Sequence, residues 1–393
     1  MQMSRNDVRA LAATGFDALR RGDARRARNA LEEVVRQGAL DAEPLLALAY
    51  ACRLLGDTAA AMAAVDGALA LEPRHLRALL FKGDAMAGVG DDRAASSYYQ
   101  FAVQAAPPAE QLPPDLRGEV ERAREMCSRF ARKFEDFLLA RLQGSNSDGN
   151  SSSARFAQSL DILLGKKQVY FQQPQAFYFA ELPQVQFYER SVFPWMDDVE
   201  AATDAIRGEL DALLAEGTGF SPYVEGDPNR PRKEQSGMTG NPDWSALYLW
   251  KNGRAVPENI ARCPKTAAAL ARVPFSDVAN RSPSVLFSQL RPGARIPPHS
   301  GLVNTRLICH LPLIVPPGCG FRVGNDIRTP VVGRAWAFDD TIEHEAWNDS
   351  DRTRVILLFE VWRPELSEEE RGLVRAMFEG IDAYTGQPPS WSI

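Results

Sequence analysis

The pattern of apolar and polar positions changes character near residue 168. Before it, apolar residues recur with helical spacing. The clearest run lies in 112–142, where Leu116, Val120, Ala123, Met126, Cys127, Phe130, Phe134 and Leu138 form one stripe. That spacing predicts a long amphipathic helix. GSNSDGNSSS at 144–153 has no apolar side chain and predicts a flexible connector, and ARFAQSLDILLGK after it predicts another helix. From 168 the chain becomes aromatic and proline-punctuated, with strand-like pieces, and MDDVEAATDAIRGELDALLAE at 196–216 reads as an acidic amphipathic helix. The irregular stretch 221–244 is either a lid or binding loop, or a solvated connector. WSALYLWKNG predicts a strand and turn, CPKTAAALARVP a short helix, and SPSVLFSQL a strand. Val303 to Leu313 alternates and then runs apolar, as a half-buried strand does, and Arg354 opens a further strand, RVILLFEVW. SEEERGLVRAMFEGIDAY predicts a last helix with acidic residues in its first turn.

The first 110 residues repeat themselves. Gly-Asp recurs at 22–23, 56–57 and 90–91, at intervals of 34 residues. Five residues after each glycine stands a small residue (Ala27, Ala61, Ala95), and seven before it another (Gly15, Ala49, Gly83). Small residues at both places let paired helices approach closely. Proline follows the second helix at Pro73 and Pro107, where it ends the pattern, while the first repeat has Ala-Leu-Asp-Ala there. Period, position and residue type together resemble tetratricopeptide repeats. The resemblance implies an all-α solenoid of three repeats, with the 112–142 helix covering its apolar end. Such repeats bind peptide segments on a concave face, or serve a structural or dimerising role. His75, in EPRHLRAL, reads as an ordinary residue at a helix start.

At 393 residues, two or three domains are expected. A net charge of −6 argues against a nucleic-acid partner. No apolar run approaches the roughly 18 residues of a membrane span, and the N-terminus has no apolar core of a signal peptide. The five cysteines, Cys52, Cys127, Cys263, Cys309 and Cys319, show no CxxC spacing. They read as reduced thiols, which makes a cytoplasmic location the expectation.

The chemistry concentrates near the C-terminus. Three of the four histidines, His299, His310 and His344, fall within 46 residues. Neutral imidazole is the commonest biological ligand for first-row metals. On the 303–313 strand, residues two apart share a face, so Arg306, Ile308 and His310 point one way and Leu307, Cys309 and Leu311 the other. A cation and an imidazole on one face need partners there, and an anionic ligand inside a barrel would supply one. Arg354 shares a face with Ile356 and Leu358, and a fixed guanidinium there matches a carboxylate bidentately.

The segments PPHSG, NTRLICHLPLIVP, FDDTIEHEAWN and VWRPEL carry a resemblance over roughly residues 165 to 372. That region resembles the aspartyl/asparaginyl β-hydroxylases, a branch of the iron(II)- and 2-oxoglutarate-dependent dioxygenases. The resemblance implies a double-stranded β-helix, a jelly-roll or cupin-like fold, with flanking helices. The expected plan is therefore multidomain: repeats over 1–110, a capping helix and linker over 111–160, and a dioxygenase domain over 161–393. The resemblance also implies that His299 and His344 bind iron(II). Arg354 and Ser288 would hold the far carboxylate of 2-oxoglutarate, His310 its other carboxylate, and Trp250 would line the same pocket. Gly301 stands where the usual facial triad has a carboxylate; the family lacks it too, so two protein ligands with water are expected. Asp340 either holds such a water, as part of the catalytic machinery, or forms the turn in FDD. Many family members have arginine at the position of Ile308, and Arg306 on the same face is expected to substitute as a co-substrate contact. The implied activity is hydroxylation of a substrate carbon, an Asp or Asn side chain of a peptide or protein recruited by the repeats. A free amino acid, small molecule or acyl chain is the alternative substrate, and a catalytically inactive binding module the alternative of another class.

Overall fold

A computed structural model describes residues 3–38, 41–143, 152–217, 219–224 and 239–385. The chain divides into two compact units, Met1–Leu164 and Gly165–Ile393.

In the first unit, α1 (Arg5–Arg20) pairs with α2 (Ala24–Arg36), α3 (Ala42–Leu54) with α4 (Thr58–Leu71), and α5 (Leu76–Gly88) with α6 (Asp92–Ala105). The repeated Gly-Asp makes each hairpin turn. Gly22, Gly56 and Gly90 take φ of +79°, +76° and +80°, the left-handed conformation that ends a helix without a Cβ penalty. Asp23, Asp57 and Asp91 then cap the next helix, accepting from the N–H groups of Arg26, Ala60 and Ala94. The spacing of the small residues also has its physical reason. A Cβ at Gly15 would lie 2.6 Å from the Leu31 side chain, and one at Gly83 2.8 Å from the Tyr99 ring. Ala27, Ala61 and Ala95 are buried between the paired helices. The three hairpins are thus tetratricopeptide repeats. α7 (Pro114–Gln143) sets Leu116, Val120, Ala123 and Phe130 against Leu80, Tyr99 and Ala102 of the third hairpin. Its expected stripe stops there, since Phe134 is exposed. His75 caps α5, its Nδ1 accepting from the Ala78 N–H. α8 (Ser152–Leu163) is the helix expected after the connector; residues 144–151 of that connector lie outside the described residues.

The second unit opens with an irregular segment that forms only single bridges, such as Phe177 with Val303 and Phe187 with Phe338, in place of the strand-like pieces its sequence suggests. α9 (Met196–Ala201) and α10 (Thr203–Glu216) follow, then β1 (Ser221–Pro222), β2 (Trp244–Lys251), β3 (Arg254–Ala255), α11 (Pro257–Arg262) and α12 (Pro264–Ala269). Residues 225–238 of the expected irregular stretch are outside the described residues. The remaining strands are β4 (Val285–Leu290), β5 (Arg295–His299), β6 (Arg306–Ile314), β7 (Cys319–Val323), β8 (Asp326–Arg328), β9 (Trp336–Phe338), β10 (His344–Asn348) and β11 (Arg354–Trp362), before α13 (Glu368–Thr385). They form two antiparallel sheets, β1-β2-β4-β11-β6-β9 with β3 beside β2, and β5-β10-β7-β8.

Alternation along the strands decides what each layer contains. Leu307, Cys309 and Leu311 of β6 and Leu357, Phe359 and Val361 of β11 face a core shared with Met196, Val199, Ile206 and Leu210 of the helices. The residues between them, Ile308, Ile356 and Leu358, face a second core with Ile296, Phe321, Val323 and Ala346 of the smaller sheet. Helices therefore cover one side of the larger sheet, and the other side meets the smaller sheet. Among the described residues no helix is long and apolar enough to cross a membrane.

Candidate functional site

The space between the sheets holds a cavity of about 200 Å³ lined by His299, His310, His344, Arg306, Arg354 and Asp340. His299 of β5 and His344 of β10 are direct cross-strand partners, their ring centroids 4.1 Å apart. A bulge makes this possible. Between the pairs His344–His299 and Ala346–Ile296, β5 carries one residue more than β10. The extra residue falls at Pro297-Pro298, where proline cannot donate to the ladder and an edge strand tolerates it. Ile296 and His299, three apart, thereby both face the cavity.

Each ring is oriented through Nδ1, which lies 2.8 Å from the Pro297 carbonyl in His299 and 3.1 Å from the Ile342 carbonyl in His344. A carbonyl only accepts, so Nδ1 carries the hydrogen and Nε2 keeps its lone pair. Burial holds both imidazoles below the ordinary histidine pKa, His344 well below it, with His299 beside it adding to the effect. Both are neutral near pH 7, the form that binds a metal. No cluster of three or more His, Cys, Asp or Glu side chains suited to a metal occurs among the described residues.

Asp340 explains why residue 301 is glycine. A Cβ at Gly301 would overlap the Asp340 carboxylate, and the Gly301 N–H donates to the Asp340 carbonyl at 2.6 Å. The carboxylate accepts from Arg306 at 3.1 Å through Oδ2, while Oδ1 is buried without a hydrogen-bond partner. Burial pushes its pKa up to about 6, against the opposing pull of Arg306. The turn in FDD belongs instead to Asp339, whose Oδ1 accepts from the N–H and hydroxyl of Thr341.

Arg354 is 1% exposed, and its Nε and Nη2 have no hydrogen-bond partner. Burial lowers its pKa to about 10, so it stays cationic at neutral pH. On the neighbouring strand β4, Ser288 also lines the cavity. His310 lies between the rings of Phe321 and Phe338, each 4.9 Å away, with Nδ1 unpartnered. Burial, and secondarily the charge of Arg354, keep it well below the usual histidine range.

Residues 200–364 match the family model described as aspartyl/asparaginyl beta-hydroxylase. The second unit belongs to that family. Over 140 residues it is 37% identical to the mouse aspartyl/asparaginyl beta-hydroxylase, covering 35% of this chain and 19% of that protein. Over 189 residues it is 32% identical to the ornithine lipid ester-linked acyl 2-hydroxylase of Rhizobium tropici, covering 47% of this chain and 63% of that one. The human aspartate beta-hydroxylase domain-containing protein 2 is 27% identical over 212 residues, 53% of this chain and 55% of that protein. The chain thus spans less than two thirds of each of these relatives.

Within this β-hydroxylase-family unit, one expected co-substrate contact needs correction. Trp250 does not line the cavity. β2 carries a bulge between Tyr248 and Trp250, which pair with the adjacent residues Leu286 and Val285. The bulge turns Trp250 to the helix side, where it packs against Phe275. Trp244, at the other end of β2, takes the cavity position; it stacks on Tyr223 at 4.3 Å and donates from Nε1 to the Ser288 hydroxyl at 3.2 Å. Its parity with Ala246 and Tyr248 was the available signal. Arg306 faces the cavity as expected, and its charge is shared with two carboxylates there. Its guanidinium lies 3.1 Å from Asp340 and 3.5 Å from Glu360. Burial opposes its charge, and those two carboxylates outweigh burial and hold its pKa up. Glu360, which also accepts from the Ser284 N–H, was readable from its two-residue spacing along the Arg354 face.

Proposed function

We propose that the second unit is an iron(II)- and 2-oxoglutarate-dependent hydroxylase on a double-stranded β-helix. One observation carries the reading. A single cavity combines two neutral imidazoles with Nε2 turned away from their carbonyl partners, and a buried guanidinium with two nitrogens, Nε and Nη2, unanswered. The donor set fits a divalent metal beside a dicarboxylate. His299 and His344 would hold iron(II), and Arg354, with Ser288, the far carboxylate of 2-oxoglutarate. When bound, these groups would let dioxygen act as the oxidant, one of its oxygen atoms turning a substrate C–H into C–OH and the other entering succinate as 2-oxoglutarate loses carbon dioxide.

The remaining residues orient and insulate. His310 would offer a ring N–H to the near carboxylate, since it is neutral and Nδ1 is unpartnered. The unpaired Oδ1 of Asp340 would accept from a water beside the histidines, in place of a third side-chain ligand. Ile296, Phe321, Phe338, Ile356 and Leu358 line the cavity and exclude bulk water.

For substrate, we propose an Asp or Asn side chain in a peptide recruited by the repeats. The Rhizobium relative's name and the apolar lining favour an acyl chain as the second reading. The test is succinate production from 2-oxoglutarate by the purified chain with iron(II) and oxygen. Turnover should require iron and disappear in folded His299→Ala and His344→Ala. Undiminished succinate from either variant would remove the metal assignment. A product heavier by one oxygen, on a peptide or on a lipid, decides between the substrate classes.

A further inference from the structure

The two loops that aim the histidines are tied together by a segment outside the region of the family match. Residues 172–188 run alongside both loops. The N–H groups of Gln175 and Ala176 donate to the carbonyls of Gly301 and Leu302, at 3.0 and 2.8 Å, just after His299. The Gln173 N–H donates to the Thr341 carbonyl at 2.7 Å, and the Gln186 carbonyl accepts from the Asp339 N–H at 3.3 Å, just before His344.

Side chains complete the tie. Asp339, fully buried, accepts from Arg363 at 2.9 Å and from the Gln172 amide at 2.7 Å. The oxygen of that same amide accepts from Asn304 at 2.9 Å. Asn304, also fully buried, donates to the Phe179 carbonyl at 2.9 Å and accepts from the Phe179 N–H at 2.7 Å. Arg363 reaches the Asn304 carbonyl at 3.2 Å and the Pro183 carbonyl. Gln172 thus uses both ends of its amide, one on each loop. A buried network answered in this way fixes one arrangement, because sliding either loop leaves a buried polar group unpaired. Asp339 and Asp340 are consecutive, so holding Asp339 outward also keeps Asp340 turned into the cavity.

We propose that Gln172, with Asn304, Asp339 and Arg363, is a positioning network that sets the geometry between His299 and His344. The 172–188 segment is then part of the metal site although it touches neither ring. The inference rests on reading those histidines as metal ligands. A site with two protein ligands has no third side chain to compensate for a displaced one, so it depends more on such support.

The test uses cobalt(II), which is stable in air, titrated into the full chain and followed by affinity and by visible absorption. Gln172→Met keeps the size and removes all three hydrogen bonds of the amide, to Asp339, to Asn304 and to the Pro183 carbonyl at 3.1 Å. Asn304→Asp keeps the shape and removes the donor to Gln172, and serves should the first variant fold poorly. Leu210→Ala, in the helix layer, is a control lowered in stability by a cavity. Measured well below each unfolding temperature, Gln172→Met should bind cobalt(II) about ten- to a hundred-fold more weakly, the usual cost of losing support behind a ligand, with an altered spectrum. Leu210→Ala should keep both affinity and spectrum. Network variants that keep wild-type affinity and spectrum while losing stability would reduce the network to a purely structural role. If the wild type and His299→Ala bind cobalt(II) alike, or neither binds it, the metal reading itself fails and the inference falls with it.

Discussion

Arg354 and Arg306 line one cavity under opposite conditions. Arg306 shares its charge with Asp340 and Glu360, while Arg354 keeps two nitrogens, Nε and Nη2, unanswered. Their truncations should therefore act on different observables. Arg354→Ala would remove the proposed charge-assisted, bidentate contact of about 1.5–3 kcal/mol, so 2-oxoglutarate affinity should fall about ten- to a hundred-fold. Arg306→Ala leaves two buried carboxylates without their cation, a defect of about 3–5 kcal/mol, and should show first as a lower unfolding temperature. Calorimetric titration and thermal unfolding of both variants separate the two. An Arg354→Ala protein that binds 2-oxoglutarate like wild type would place the far carboxylate elsewhere.

At the scale of elements, simple periodicity was enough wherever the period ran unbroken. Arg306, Ile308 and His310 share the cavity face of β6, and Arg354, Ile356 and Leu358 that of β11, as two-residue alternation requires. It failed at bulges. The extra residue in β2 turns Trp250 out of the cavity, and nothing in the composition of WSALYLWK marks where it falls. The commitment of Arg306 to Asp340 and Glu360 was hidden for a different reason, because it joins residues 34 and 54 positions distant in sequence. The repeat unit was the most legible, since its glycines and aspartates do local work in turns and caps. Its spacing makes a sharp test. Gly83→Ala would place a Cβ 2.8 Å from the Tyr99 ring, whose hydroxyl is itself tied to Asp84. Overpacking of about 1–3 kcal/mol outweighs the gain in helix propensity of about 1 kcal/mol, so the unfolding midpoint should drop. Gly88→Ala, on the same helix with open space around it, should raise the midpoint. The same response from both would show that helix approach is not set by Gly83.

The whole molecule joins a unit of tetratricopeptide repeats to a unit of the β-hydroxylase family, and the family match lies entirely in the second. His299, His344 and Arg354, proposed to hold metal and co-substrate, and the network behind them all come from that second unit. We propose that one cavity takes iron(II) and 2-oxoglutarate together. The most direct test is an anaerobic titration of the iron(II)-loaded chain with 2-oxoglutarate, followed by the charge-transfer absorption that a 2-oxo acid develops on chelating iron(II). Wild type should give a saturable, one-to-one change. Folded His299→Ala and His344→Ala should give none, and Arg354→Ala should need far more 2-oxoglutarate to reach the same change. An unchanged titration in the histidine variants would contradict the account.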